Sequence, residues 1–348
     1  MSHAVQVTSR EAVPAEPAAR ASAAEGASGA QGAVFTLSPA DAAEISRVAQ
    51  RLAAVSDRVD DERWVAAART AWEDLPRAFR CRIRAFRRDS GPAGALVVRG
   101  LPVGEGELPD TPTVRGSVQR ATSRSAALLV MTACGLGDPA AFRAEKSGAL
   151  VQDVVPVPGQ EDFQGNAGSV DLLMHNENAF HAHRPDHVML LCLRPDHERV
   201  AGLRTASVRE ALPLLSERTR EALARPEFST QPPPSFGSTG GPAPDHPVLD
   251  GDLSDPDVRV DFAATEGLTP AARTALTELS GALDEVARTV LLTSGDLAIV
   301  DNHVTLHGRT AFRPRYDGAD RWLQRSFVLA DLRRSRGFRP ADGYVLAP

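Results

Sequence analysis

Leu172-Leu173-Met174-His175-Asn176-Glu177-Asn178-Ala179-Phe180-His181 carries an imidazole and a carboxylate two positions apart at the end of an apolar, strand-like run. Residues two apart on a strand point to the same face. His175 and Glu177 can therefore aim at one point. Together they supply two of the three ligands of a 2-His-1-carboxylate facial triad, the set that holds Fe(II) in non-haem oxygenases. His-x-Glu alone is a weak signal, and its weight rests on a third ligand distant in sequence.

Nine histidines are present. His3 is near the N-terminus, His181, His183, His187 and His197 follow the motif closely, and His246 lies in a Pro/Gly-rich stretch. His303 and His307 follow the apolar run Leu297–Asp301 and are the candidates for a ligand from a distant strand. The residues after His307 favour it, because Arg321 and Arg325 lie on the next strand-like run. A dicarboxylic co-substrate that chelates a metal through one end needs a cation at the other, and a guanidinium fork binds a carboxylate through two hydrogen bonds. Four apart on a strand, Arg321 and Arg325 share a face and could serve two different carboxylates.

The elements that must hold these groups are readable in outline. Ser38-Pro39 opens a helix with Ser38 as N-cap, followed by the helical period Ile45, Val48, Leu52 and Val55. Helices are expected from Trp64 to Trp72, from about Arg77 to Phe86 and, largely buried, from Val118 to about Cys134. Strands are expected at Ala93–Val98, Leu150–Val157, His187–Leu193, Leu203–Ala206, Val258–Phe262, Leu297–Asp301 and Trp322–Leu329. Ser207-Val208-Arg209-Glu210 reads as a capping box, and Thr269-Pro270 as the cap of a helix running to about Leu291. Pro226–Asp252, long and rich in Pro, Gly and Ser, reads as a lid or substrate loop. Many short strands with helices grouped early predict a mainly β protein, a sandwich or barrel with flanking helices.

The bulk numbers narrow the class. A chain of 348 residues with net charge −6 implies no general nucleic-acid-binding surface, and no apolar run approaches the length of a membrane span. Residues 1–33 have the composition of a disordered tail without a signal peptide. Residues 34–348 form one expected domain, with 34–135 helical and 136–348 the β core. Three isolated cysteines, Cys81, Cys134 and Cys192, fit a reduced cytoplasmic setting and are expected to be buried packing residues.

From about residue 93 to 333 the chain resembles the clavaminate synthase-like family of Fe(II)/2-oxoglutarate oxygenases, within the taurine dioxygenase-like group. Its pattern is nearest the amino-acid β-hydroxylases of antibiotic biosynthesis. The resemblance is carried by His175-Asn176-Glu177, Ala179-Phe180-His181, Arg194–Arg199, Ser207–Leu215, Gly295–Asn302 and His307–Arg325. It implies a double-stranded β-helix (jelly roll) core. By position it implies His175, Glu177 and His307 as iron ligands and Arg321 as the anchor of the distal carboxylate of 2-oxoglutarate. It further implies Arg325 for a substrate α-carboxylate, Asp261 for a polar or cationic substrate group, and Asn166, Gln152 and Glu177 as substrate neighbours.

There are departures. Leu203 stands where the family usually has a threonine that bonds 2-oxoglutarate, and Thr205, on the same face, is the expected substitute. Asn176 replaces a common threonine and is expected to point away from the metal. Arg259 replaces the second acid of the arginine hydroxylases, which argues against arginine as substrate. The expected function is hydroxylation of a free L-amino acid with a polar or basic side chain at C3 or an adjacent carbon, in specialised (peptide antibiotic) metabolism. Fe(II), 2-oxoglutarate and O2 are the expected requirements, with no nucleic-acid or membrane partner. Alternatives are an oxygenase acting on a carrier-tethered or elaborated intermediate and, from another class, a cupin-like metal-binding protein or zinc hydrolase.

Overall fold

The computed structural model describes residues 33–233, 236 and 244–347, within a unit spanning 31–348. The expected tail lies outside the described residues except for Ala33, which already belongs to a strand. In chain order the strands and helices are β1 (Ala33–Thr36), α1 (Pro39–Ala53), α2 (Glu62–Glu73), α3 (Arg77–Arg88), β2 (Ala95–Arg99), α4 (Arg124–Leu136), β3 (Asp138–Phe142), β4 (Gln152–Val154), β5 (Leu172–His175), β6 (His187–Arg194) and β7 (Leu203–Ser207). Then come α5 (Val208–Ala211), α6 (Glu217–Leu223), β8 (Phe228–Thr230), β9 (Leu249–Asp250), β10 (Asp257–Val258), β11 (Thr265–Gly267), α7 (Pro270–Val286), β12 (Arg288–Val290), β13 (Leu297–Asp301), β14 (Thr305–Arg309), β15 (Trp322–Leu329) and β16 (Val345–Leu346).

Two main sheets, two short two-stranded ribbons (β9-β10 and β8-β11) and flanking helices result among the described residues. The larger sheet runs β1-β2-β13-β6-β15-β3-β16, with β4 also paired to β15, and the smaller runs β12-β7-β14-β5. Side-chain alternation sorts the core. On β15, Trp322 and Val328 point outward into a cluster with Trp64, Phe79 and the largely apolar, buried α4, while Leu323 and Phe327 point inward among Val188, Leu190, Cys192 and Leu203. The outer face of the smaller sheet, Ala206 and Leu306, packs on Leu279 and Leu283 of α7. The functional residues belong to the inner faces, between the sheets.

The caps at Ser38 and Thr269 form as expected, accepting from Asp41 N and Ala272 N, and β13 and β15 keep their expected extents. Other elements differ. The fourth helix starts at Arg124 rather than Val118, because Ser123 caps it by accepting from Ala126 N while Val118 and Ala121 make extended bridges to Gln152 and Arg58. The long helix stops at Val286, and Arg288–Val290 turns back as a strand on β7. The expected strands at 150–157 and 258–262 shrink to β4 and β10. Ser207 caps α5 through Arg209 N, but Glu210 pairs with Arg288 instead of closing the box. The Pro226–Asp252 stretch contains β8, β9 and a buried His246 bonded to Thr230, and 234–235 and 237–243 lie outside the described residues. Cys81 is exposed and Cys134 half-buried, so only Cys192 is the buried packing residue expected of all three. No described helix is long and apolar enough to cross a membrane.

Candidate active site

The third candidate ligand, His307, comes from β14, a strand with no clear sequence signal. His307 is the register partner of His175 on β5 and of Thr205 on β7, so the three side chains share the inner face. The imidazole centroids of His175 and His307 are 4.4 Å apart. His175 Nδ1 lies 2.8 Å from the Leu173 carbonyl, which leaves Nε2 free for a ligand. His307 Nε2 is 3.6 Å from Glu177 Oε2, and His175, Glu177 and His307 offer ligand atoms that all lie within 4.8 Å of one another.

Glu177 is not on the strand. β5 ends at His175, and Asn178 adopts φ +52°, so the two-residue spacing does not by itself aim the carboxylate. Asn302 does that work. Its Oδ1 accepts from Glu177 N at 2.8 Å, and its Nδ2 donates to Glu177 O at 3.0 Å. Asn176, expected to matter little, is buried and stitches the same corner: it accepts from Val260 N and donates to Asn302 O and Thr305 O.

The electrostatics suit a divalent cation. Glu177 Oε2 is buried without a hydrogen-bond partner, a costly state for a carboxylate oxygen unless a cation faces it. Burial, then His175 and Arg325, hold His307 well below the ordinary imidazole range, so the ring is neutral and ready to ligate. Among the described residues, His197, Asp317 and Asp320 form another such cluster. There the Asp320 oxygens accept from Arg315 N and Tyr316 N, which makes it a loop fastening.

Beside Glu177 stands Arg325, 3% exposed. Its Nη1 donates to Glu177 Oε1 at 2.8 Å, and its Nη2 reaches Glu145 Oε1 and, at 2.5 Å, Gln152 Oε1. With its amide oxygen turned inward, Asn166 accepts from both Nη atoms at 3.1 and 3.2 Å. Glu145, Asn166, Glu177, Asp261 and Arg325 line one cleft. Gln152, 1% exposed, is not among the residues lining that cleft and reaches it only through its bond to Arg325. Asp261 bridges His175 through the backbone, and its Oδ1 accepts from Ala263 N. Glu145 was missed from sequence because nothing local marks it. Burial pushes its carboxyl up against the pull of Arg325, and its Oε2 has no partner.

Deeper in, Arg321 is 6% exposed and makes no hydrogen bond or ion pair with any described residue; it sits over the Phe312 ring at 5.7 Å. The possible partners Asp317 and Asp320 are engaged elsewhere. Thr205 is also buried, beside His307. His303 is no part of this group: Asp186 and Asp257 hold its two nitrogens at 2.8 Å each. His181 packs edge-on to Phe142 and Phe180, and His183 tilts on Phe338.

A buried Glu and two His facing a common point, a buried unpaired arginine behind them and an arginine–carboxylate pair in front can hold a metal, a dicarboxylate and a zwitterion together. The model of the family "Taurine catabolism dioxygenase TauD, TfdA family" matches residues 92–327. L-asparagine oxygenase of Streptomyces coelicolor is 62% identical over 312 residues, 89% of this chain and 94% of that protein. Clavaminate synthase 2 of Streptomyces clavuligerus is 35% identical over 84% of this chain and 91% of its own length. A crystal structure of asparagine oxygenase in complex with Fe(II), 2S,3S-3-hydroxyasparagine and succinate superposes with a TM-score of 0.89 at 62% identity, over 90% of this chain and 99% of that one.

Proposed function

Because the chain belongs to the taurine catabolism dioxygenase TauD, TfdA family, we propose that it hydroxylates free L-asparagine at C3. The enzyme is an Fe(II)/2-oxoglutarate-dependent oxygenase of a small amino acid. The two facing main sheets we read as a double-stranded β-helix in which 34–135 form the mainly helical part, lending β1 and β2 to the larger sheet, and 136–348 the rest of the core; we infer a cytoplasmic role in specialised metabolism.

His175, Glu177 and His307 would hold the metal through His175 Nε2, Glu177 Oε2 and His307 Nε2. Bound Fe(II) supplies O2 activation coupled to oxidative decarboxylation of 2-oxoglutarate to succinate and CO2, with one oxygen atom delivered to a substrate C–H. Arg321 would bind the distal carboxylate of 2-oxoglutarate, and Thr205 would line its path. At the cleft, Arg325 would take the substrate α-carboxylate, with Asn166 yielding its place on the guanidinium and Gln152 bracing Arg325 from behind. Glu145, with its free buried oxygen beside Arg325, would receive the α-ammonium.

The observation that carries the substrate is the side-chain end of the cleft. Asp261 offers one acceptor there. Arg259, which replaces a second acid, is turned away and donates to the Ala179 and Phe180 carbonyls at 2.5 and 3.1 Å. One carboxylate accepts a carboxamide N–H, and with Arg259 in place of a second acid the end of the cleft lacks the two-acid pattern expected for a guanidinium side chain. The 62% identity to L-asparagine oxygenase points the same way. A carrier-tethered substrate has no free α-carboxylate to offer Arg325, which disfavours it. The test is an amino-acid panel scored for succinate release and a product heavier by one oxygen atom. Coupled turnover with asparagine and with few others is expected, and coupling only to lysine or arginine would overturn the proposal.

A further inference from the structure

Arg309 is a second deeply buried arginine, 4% exposed, and the described residues give it no ion pair. Its Nη2 donates to the Val170 carbonyl at 2.9 Å, and its Nε has no partner. Its guanidinium lies over Phe312 at 5.3 Å, on the same ring that Arg321 covers at 5.7 Å. Two like charges thus share one buried aromatic ring. Asp171, the acid whose field reaches Arg309, is exposed and spends an oxygen on Ala311 N. The arrangement lacks an anion.

Position supplies its identity. Arg309 follows His307 by two residues on β14 and is the register partner of Leu203, as His307 is of Thr205. Two residues along a strand advance about 7 Å, comparable to the carbon chain of a five-carbon dicarboxylate. One row therefore holds the histidine and Thr205, and the next row holds Arg309 and Leu203. Leu203 has no polar atom to give, and the donor in that row is its cross-strand neighbour.

We propose that Arg309 and Arg321 together clamp the distal carboxylate of 2-oxoglutarate, with Arg309 supplying the hydrogen bond that Leu203 cannot. The proposal rests on the reading of Arg321 given above. It makes Arg309 a co-substrate specificity residue: it should matter for a 2-oxoacid with a second carboxylate and not for one without.

Binding to the anaerobic Fe(II)-loaded enzyme tests this, by titrating the visible metal-to-ligand band with 2-oxoglutarate and with 2-oxobutyrate, which lacks the distal carboxylate. Arg309→Met should raise the Kd of 2-oxoglutarate about 10- to 100-fold and leave that of 2-oxobutyrate within about twofold. Adding Leu203→Thr should recover part of the loss. An equal effect on both acids, or none on either, would overturn the clamp and leave Arg309 as a brace for the Val170 carbonyl. If Arg309→Met does not fold, Arg309→Lys decides by the same ratio. Arg321→Met is the reference. If it too leaves the preference for 2-oxoglutarate intact, the underlying reading of Arg321 fails; if it alone abolishes the preference, only the role of Arg309 does.

Discussion

Arg325 Nη1 donates to Glu177 Oε1 at 2.8 Å, and that bond fixes the rotation of the carboxylate. The other oxygen, Oε2, is left 3.6 Å from His307 Nε2 with no hydrogen-bond partner. The guanidinium proposed to meet the substrate and the carboxylate proposed to meet the metal thus form one hydrogen-bonded unit. A substrate carboxylate arriving at Arg325 would be felt at the metal, and the mutations that separate the two functions lie elsewhere.

Arg325→Met strands Glu145 and Glu177 as buried carboxylates without a cation. Breaking a buried pair in this way costs about 3–5 kcal/mol, which denaturant unfolding of the metal-free protein measures. Adding Glu145→Gln should restore part of the loss by removing one buried charge. A loss no larger than the roughly 1 kcal/mol of an exposed pair would mean that water reaches this network.

Asn302→Ala removes the two bonds that hold the Glu177 backbone and a third to the Pro185 carbonyl at 2.9 Å. Removal of such outer-shell partners lowers metal affinity about 10- to 100-fold. Titration with Fe(II) or Co(II) should show this with His175 and His307 untouched. Unchanged affinity would show that β5 alone aims Glu177.

Asp261→Ala should raise KM for asparagine about 10- to 100-fold, the range for a hydrogen bond to a charged group, while the Kd of 2-oxoglutarate stays put. Steady-state kinetics and the anaerobic titration separate the two. A matching change in both would place Asp261 in support of His175, to which it is bridged, and not in substrate recognition.

His303 gives the pH dependence of stability. Burial opposes its charge, but the Asp186 and Asp257 carboxylates overcome this and raise its pKa from 6.5 to about 9. A group with a raised folded pKa contributes fully below its unfolded value and loses that contribution as pH rises through the folded one. Stability should therefore fall by about 2–3 kcal/mol between pH 6.5 and 9.5. His303→Gln should flatten this fall in urea unfolding at a series of pH values. A profile unchanged in the variant would refute the assignment.

The sequence determined a good deal by itself. Strand-like apolar runs bounded β13 and β15 correctly, and a spacing of four put Arg321 and Arg325 on one face, so the presence of two arginines on the inner side of that strand was legible. Ser38 and Thr269 announced their helices because an N-cap is a local hydrogen bond. Residue types named the chemistry: two imidazoles, a carboxylate and arginines with few acids nearby.

Tertiary structure decided the rest. β14 has no contrast between its faces, since His307 and Arg309 are as buried as Leu306; its pairing with β5 and β7 creates the strand. Glu177 lies beyond the strand that was expected to aim it and owes its direction to Asn302, 125 residues away. Glu145 and Arg309 enter through contacts with Arg325 and Phe312 that no local period marks. Local pattern sets which face a side chain takes. Which buried charges meet there depends on how the two main sheets close on each other, and it is in the low dielectric between them that a carboxylate oxygen is left without a hydrogen-bond partner and two guanidiniums without a charge partner among the described residues.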